Sequence, residues 1–114
     1  SQISDLKWGS KKILGLRIFD DNDGRMNLPV KDDMGILVVS QFTLCGNLKK
    51  GYRPSFNKAA QPSQAFALYE KFLEILGISF GGNLETGKFG AKMNIEMKED
   101  GPVTIWLDSH HKSY

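Results

Sequence analysis

"GILVVSQFTL", Gly35 to Leu44, is the stretch on which the fold turns. It is a near-continuous apolar run rich in branched residues, which reads as a central strand buried on both faces. It turns polar at Ser40-Gln41, in the middle of that strand. Polar side chains that break into a buried strand need a partner or a purpose. On the residues alone, a hydrogen-bonded structural pair and a functional pair stand level.

Upstream of this run, Ser4 or Asp5 is placed to cap a first helix reaching to about Arg17. Leu6, Trp8, Ile13, Leu14 and Leu16 supply its apolar side, and Lys7, Lys11 and Lys12 face water. "RIFDDNDGRMNL" follows, and its Asp23-Gly24 is a hairpin-turn signal. Downstream, "CGNLKKGYRPSFNKAAQP" is a loop dominated by Gly, Pro and Asn, made basic by Lys49, Lys50, Arg53 and Lys58. The clearest helix comes next, about Gln64 to Leu76, with Phe66, Tyr69, Phe72, Leu73 and Leu76 at helical spacing. Ser63 is its natural N-cap and Gly77 its natural stop. "GISFGGNLETG" reads as a loop. "AKMNIEMK" alternates, with Met93, Ile95 and Met97 on one face, and reads as a half-buried strand. "PVTIWLD" is the last strand, and the polar tail "SHHKSY" is expected to fray. The order helix, hairpin, strand, helix, strand, strand implies an α/β domain with a largely antiparallel or mixed sheet and packed helices.

The chain has 114 residues, 40% of them hydrophobic and 25% charged, which fits one ordinary globular domain. No apolar run approaches membrane-spanning length, so no membrane partner is expected. The single cysteine, Cys45, excludes an intrachain disulfide and favours a reducing compartment, the cytoplasm. It has no local His motif and reads as structural or incidental. The net charge of +2 neither points to nor excludes a nucleic-acid partner, so local clusters matter more.

Several chemistries lack their residues. Cys45 stands alone and the two histidines, His110 and His111, are adjacent in the tail, so there is no zinc pattern and no metal is expected. There is no phosphate-binding Gly-rich Lys motif and no G-x-S-x-G. Asp20, Asp21 and Asp23 read as a turn, because the trailing Glu of a calcium loop is missing. Beside Ser40-Gln41, one feature remains: "DGPVT", Asp100 to Thr104. Its Gly-Pro bond has only a small trans preference. The simpler reading is a turn with Pro at the first residue of a strand.

Taken together and in order, "VSQFTL", "KKGYRPSFNKAA", "LYEKF", "TGKFGAKM" and "DGPVTIWLDS" resemble the D-aminoacyl-tRNA deacylase family, and "KILGLRIFDDNDGRMNL" is similar to its early helix and hairpin. The resemblance covers nearly the whole chain. It implies a curled, barrel-like mixed or antiparallel sheet with packed helices. It implies hydrolysis of the ester of D-aminoacyl-tRNA, and of glycyl-tRNA, as a chiral proofreading step without a cofactor. The partners it implies are aminoacylated tRNA, held by its 3′-terminal adenosine, and a second copy of the chain in a homodimer.

The family's Ser-Gln-x-x-Leu motif falls on Ser40, Gln41 and Leu44, and its Gly-Pro-x-Thr motif on Gly101, Pro102 and Thr104. The resemblance implies a cis Gly101-Pro102 bond that enters the partner's site. There its two carbonyls hold the substrate's α-amino group and leave no space for an L side chain. Gln41 and the backbone near Phe42 and Thr43 would surround the ester, with Ser40 beside them. Thr43 has a hydroxyl but no visible base, which favours positioning over nucleophilic attack. Phe89 and Gly90 are placed to receive the adenosine, although Phe89 reads equally well as core. Ala65 leaves room for the nucleotide. Lys49, Lys50, Arg53, Lys58 and Lys88 could meet tRNA phosphates or simply form a solvated face.

Two departures qualify the resemblance. The family usually carries Asn where this chain has Glu99. Its members also open with two strands before the first helix, so residues 1–114 are expected to form a single domain that is N-terminally incomplete, with Gly35 to Leu44 exposed as a sheet edge. The alternative function is a catalytically impaired, truncated homologue that acts as a tRNA- or DNA-binding module.

Overall fold

A computed structural model describes residues 2–113. Helix α1 spans Ile3–Gly15. Its cap is Gln2 rather than Ser4 or Asp5. Asp5 lies inside the first turn, where its carboxylate accepts the Gln2 backbone N–H at 2.8 Å. That bond, above all, holds the Asp5 carboxyl below its usual range. The helix stops at Gly15, and the Leu16 N–H closes on the Lys12 carbonyl at 2.9 Å.

The expected hairpin forms from β1, Phe19–Asp20, and β2, Met26–Leu28, paired antiparallel. Gly24 takes φ +73° in the turn, a conformation other residues resist. Asp21 organises that turn. Its Oδ1 accepts the N–H groups of Asp23 and Arg25, each at 2.9 Å, and its Oδ2 accepts the Asn27 amide at 3.1 Å. These bonds, the one from Arg25 foremost, lower the Asp21 pKa. Arg17 ties the hairpin to α1 by donating to the Asn27 carbonyl at 2.8 Å and to the Asn27 side-chain oxygen.

Strand β3 occupies only Gly35–Val38, not the whole run to Leu44. It pairs in parallel with β4, Asn83–Thr86, through the helix α2 that connects them. Among the described residues its other edge has no partner, and Leu37 is 62% exposed, so β3 is neither central nor doubly buried. Strand β4 lies in the stretch expected to be loop. Its own pattern is weak, and the ladder to β3 makes it a strand. The chain leaves the ladder after Val38, whose carbonyl accepts both the Gly87 N–H at 2.8 Å and the Tyr69 hydroxyl at 3.2 Å. It then tightens into a 3₁₀ turn at Phe42–Cys45.

Helix α2 runs Pro62–Ser79, longer at both ends than expected. Pro62 opens it, because a first-turn residue needs no N–H donor. Gly77 does not stop it. It sits inside the helix against β4, where a Cβ would make only ordinary contact with the Leu84 side chain at 3.6 Å. The helix closes at Phe80, whose N–H reaches the Leu76 carbonyl at 2.9 Å. The buried centre sits here: Leu76 is 0% and Phe80 7% exposed, and Ser10 of α1 is also buried.

Residues 91–107 form no strand. The apolar alternation of "AKMNIEMK" and "PVTIWLD" is real, but no neighbouring strand supplies a ladder, and an extended chain without one is not a sheet. Met97 is 77% exposed, and Ile95, Ile105 and Trp106 are also largely exposed. The architecture is thus mixed α/β, with one antiparallel and one parallel two-stranded sheet and no closed barrel among the described residues. The tail has local contacts as far as Lys112, and Tyr114 lies outside the described residues. Asp108 accepts the His110 N–H at 2.9 Å, and the Lys112 ammonium stands 5.3 Å above the Trp8 ring on α1. No helix of the described residues is long and apolar enough to cross a membrane.

Candidate active site

The polar break in the opening stretch has a structural reason. Val39, Ser40, Gln41 and Phe42 leave the sheet to form one wall of a cavity of about 800 Å³. Phe56 and Asn57 form a second wall, fixed by the edge-on contact of Phe42 with Phe56 at 5.0 Å between centroids. The start of α2, with Gln61, Pro62 and Ala65, forms a third. Ala59 and Ala60 lie between the second and third walls, and Phe89, Gly90, Ala91, Met93 and Ile95 complete the lining.

Of the residues singled out in the sequence, Ser40, Gln41, Phe42, Ala65, Phe89 and Gly90 meet in this cavity. Ala65 lies in the first turn of α2, where it presents only a methyl group. Phe89 is both packed and accessible to the cavity. It is clamped by Phe66 at 5.3 Å and Tyr69 at 5.5 Å, as a core ring would be, and it still lines the cavity. Tyr69 is held in turn by its bond to Val38, and partial burial raises its phenol pKa.

Gly101, Pro102 and Thr104 are not in this cavity. They are exposed on the irregular 91–107 segment. The Gly101-Pro102 bond is cis and Gly101 takes φ +129°. Thr43 lies within the 3₁₀ turn and does not line the cavity, though its carbonyl accepts the Gly46 N–H at 3.0 Å. Glu99 is exposed beside the Gly-Pro pair.

The lining contains no Asp, Glu, His, Lys, Arg, Cys or Tyr side chain. Its polar groups are the hydroxyl of Ser40 and the amides of Gln41, Asn57 and Gln61, plus backbone. Gln41 stands at the N-cap of the 3₁₀ turn without a capping side-chain bond, so its amide is left for the cavity. The N–H groups of Phe42 and Thr43 open the turn ahead of its first internal bond. The chemistry available is therefore orientation and hydrogen-bond donation, without a side-chain acid or base. Among the described residues no group of three or more His, Cys, Asp or Glu could hold a metal ion. Sequence reading missed Asn57, Gln61, Met93 and Ile95 as lining residues. The motifs "RPSFNKAA", which holds Asn57, and "TGKFGAKM", which holds Met93, were the available signals, and neither assigns these residues a role.

The fold and site define a small α/β domain with an uncharged cavity beside a basic loop. The sequence profile of the family D-Tyr-tRNA(Tyr) deacylase matches residues 1–108. Curated relatives named D-aminoacyl-tRNA deacylase include one from Thermotoga petrophila, 56% identical over 92% of this chain and 70% of its own length. One from Bacteroides fragilis is 50% identical over 95% of this chain and 73% of its own. Another, from Fervidobacterium nodosum, is 51% identical over 94% and 72%. A solved structure, the c-Myc DNA Unwinding Element Binding Protein, matches with a TM-score of 0.85 at 40% identity, covering 95% of this chain and 74% of that one. The chain belongs to the D-Tyr-tRNA(Tyr) deacylase family.

Proposed function

We infer that this protein hydrolyses the ester that joins a D-amino acid, or glycine, to the 3′-terminal adenosine of tRNA, releasing free amino acid and tRNA. The observation that carries the reading is the cavity that gathers Ser40, Gln41 and Phe42 opposite Phe89 and Ala65, in a chain of this family. The terminal adenosine rests on Phe89, with Ala65 leaving room for it. The ester carbonyl lies at the start of the 3₁₀ turn. Water adds to that carbonyl, and the negative charge on its oxygen is met by the Phe42 N–H and the Gln41 amide, with the Thr43 backbone behind them in the turn. The bond between the acyl carbon and the 3′ oxygen then breaks, and a proton from the attacking water passes to that oxygen, which leaves as the hydroxyl of the tRNA. An aminoacyl ester is already activated, so orientation and preorganised donors supply the acceleration. This suits a lining without ionisable side chains. The substrate's own terminal 2′-hydroxyl stands next to the reacting carbonyl as a further proton-carrying group.

In this reading the protein is a cytoplasmic homodimer. Gly101 and Pro102 serve the partner's cavity; that they lie outside their own chain's cavity and are exposed supports this role. There their carbonyls take the substrate's α-amino group and exclude an L side chain by clash. The apolar side chains around them, Met97, Val103 and Ile105, are covered by the partner. The binding-module alternative is not favoured, because relatives at 50–56% identity carry the deacylase name.

The test is release of D-tyrosine or D-aspartate from the charged tRNA by the purified, folded protein. The D-ester is expected to be cleaved and the L-ester spared. An intact D-ester after prolonged incubation contradicts the reading.

A further inference from the structure

Between Met34 and Tyr69 the sequence has no aspartate or glutamate, although the whole chain carries 13. The only charged residues in that window are Lys49, Lys50, Arg53 and Lys58. All four are exposed, and among the described residues none enters an ion pair. A merely solvated face usually mixes both signs, so a one-sign stretch with unpaired cations is the footprint of a polyanion.

The loop is also built rather than loose. Asn47 and Ser55 exchange backbone bonds of 2.7 and 2.9 Å, which pinch residues 48–54 into a finger. The Asn47 side-chain oxygen accepts the Lys49 N–H at 2.9 Å and orders the first bend. Tyr52 stands fully exposed at the tip, with a relative exposure of 101%. From Ser55 the chain passes directly into the cavity wall, through Phe56 and Asn57, with Lys58 next in line.

We propose that this finger grips the phosphodiester backbone of the RNA whose 3′ end occupies the cavity. Lys49, Lys50, Arg53 and Lys58 meet phosphates, and Tyr52 packs on a ribose or an unstacked base. The division of labour is that the uncharged cavity handles the ester and the finger supplies affinity. The proposal rests on the reading of the cavity as the seat of the aminoacyl end.

The experiment measures binding of uncharged tRNA to the full chain across a series of salt concentrations. In the variant combining Lys49→Gln, Lys50→Gln and Arg53→Gln, the slope of log affinity against log salt is expected to fall by about 2 units, at about 0.7–0.9 for each phosphate no longer neutralised. Low-salt binding is expected to weaken by roughly an order of magnitude or more. Tyr52→Ala, a second and neutral change, is expected to weaken binding without altering the slope. Lys31→Gln, an exposed cation beside Asp32 and Asp33 and outside the window, is expected to change neither. An unchanged slope in the folded triple variant overturns the proposal. A D-aminoacyl ester of adenosine, which has no phosphodiester, separates the finger from the cavity. The triple variant is expected to raise KM on charged tRNA and not on this ester. If the wild type leaves that ester intact yet binds tRNA with the steep slope, the cavity reading fails and the finger stands.

Discussion

Two regions of this molecule hold themselves together in different ways. Helices α1 and α2 with the β3–β4 pair close on their own contacts: Leu76 and Phe80 are buried, and Tyr69 ties the helix to the sheet through the Val38 carbonyl. Residues 91–107 have the apolar alternation of strands and no ladder, and most of their large side chains, Met97, Ile105 and Trp106 among them, are exposed. The cavity lies between the two regions, where the entry of α2 meets residues 39–42 and 56–61 and is closed by Ala91, Met93 and Ile95, whereas Gly101 and Pro102 lie outside it. On the proposed function the contrast teaches how a site can be divided. One half is preorganised around the cavity, and the other is presented on a segment with no ladder of its own.

The contrast can be broken most sharply at its buried end. Leu76→Ala removes a fully buried side chain and is expected to lower unfolding free energy by about 2–5 kcal/mol in a denaturant titration. Met97→Ala, at a 77% exposed position, is expected to change the unfolding of the dissociated chain by no more than about 0.5 kcal/mol. Its effect is expected instead on the concentration at which the dimer forms, read by sedimentation. Equal losses in the two unfolding curves would erase the distinction between the regions.

A smaller effect on folding, with a large one on activity, is expected from Gly101→Ala. Gly101 takes φ +129°, and a Cβ there would lie 3.0 Å from the Val103 backbone nitrogen, so the loop must shift. The strain is about 1–3 kcal/mol locally. The thermal midpoint is expected to move little while kcat/KM on D-aminoacyl-tRNA falls by about two orders of magnitude, as expected when reacting groups are misplaced by an ångström. Full activity in this variant would remove the loop from the mechanism.

The smallest effect sharpens the first region alone. Hydrogen bonds from the turn hold the Asp21 carboxyl below its usual pKa. Its contribution to stability is therefore present above the ordinary aspartate value and is lost as pH falls through the lowered folded value. Asp21→Asn is expected to flatten the acid limb of the stability curve slightly. A steeper limb would contradict the assignment.

The sequence made much of the first region legible and less of the second, for physical reasons. Helix α2 was visible because its apolar spacing is its packing face. Its end was not, because Gly77 stays helical and the helix runs on to Ser79. Strand β4 was hidden because a parallel partner, and not its own pattern, defines it. The run from Gly35 read as one long strand because Val39 to Phe42 are as apolar at the cavity wall as in a sheet, except at the Ser40-Gln41 pair that marks the change. Asn57 and Gln61 were invisible as site residues because they come to the cavity from a loop and a helix entry, which carry no periodicity. The alternation in residues 91–107 records a face made for burial, and pattern alone could not say against what.

The central claim is that each working site combines the cavity of one protomer with the Gly101-Pro102 pair of the other. It is tested by mixing Gln41→Ala and Gly101→Ala proteins, each folded and each inactive alone, and measuring D-aminoacyl-tRNA hydrolysis after subunit exchange. In a twofold dimer with shared sites, the mixed dimer holds one intact site, and activity is expected to return to about a quarter of the wild-type level. No recovery, with exchange of subunits demonstrated, would contradict the account.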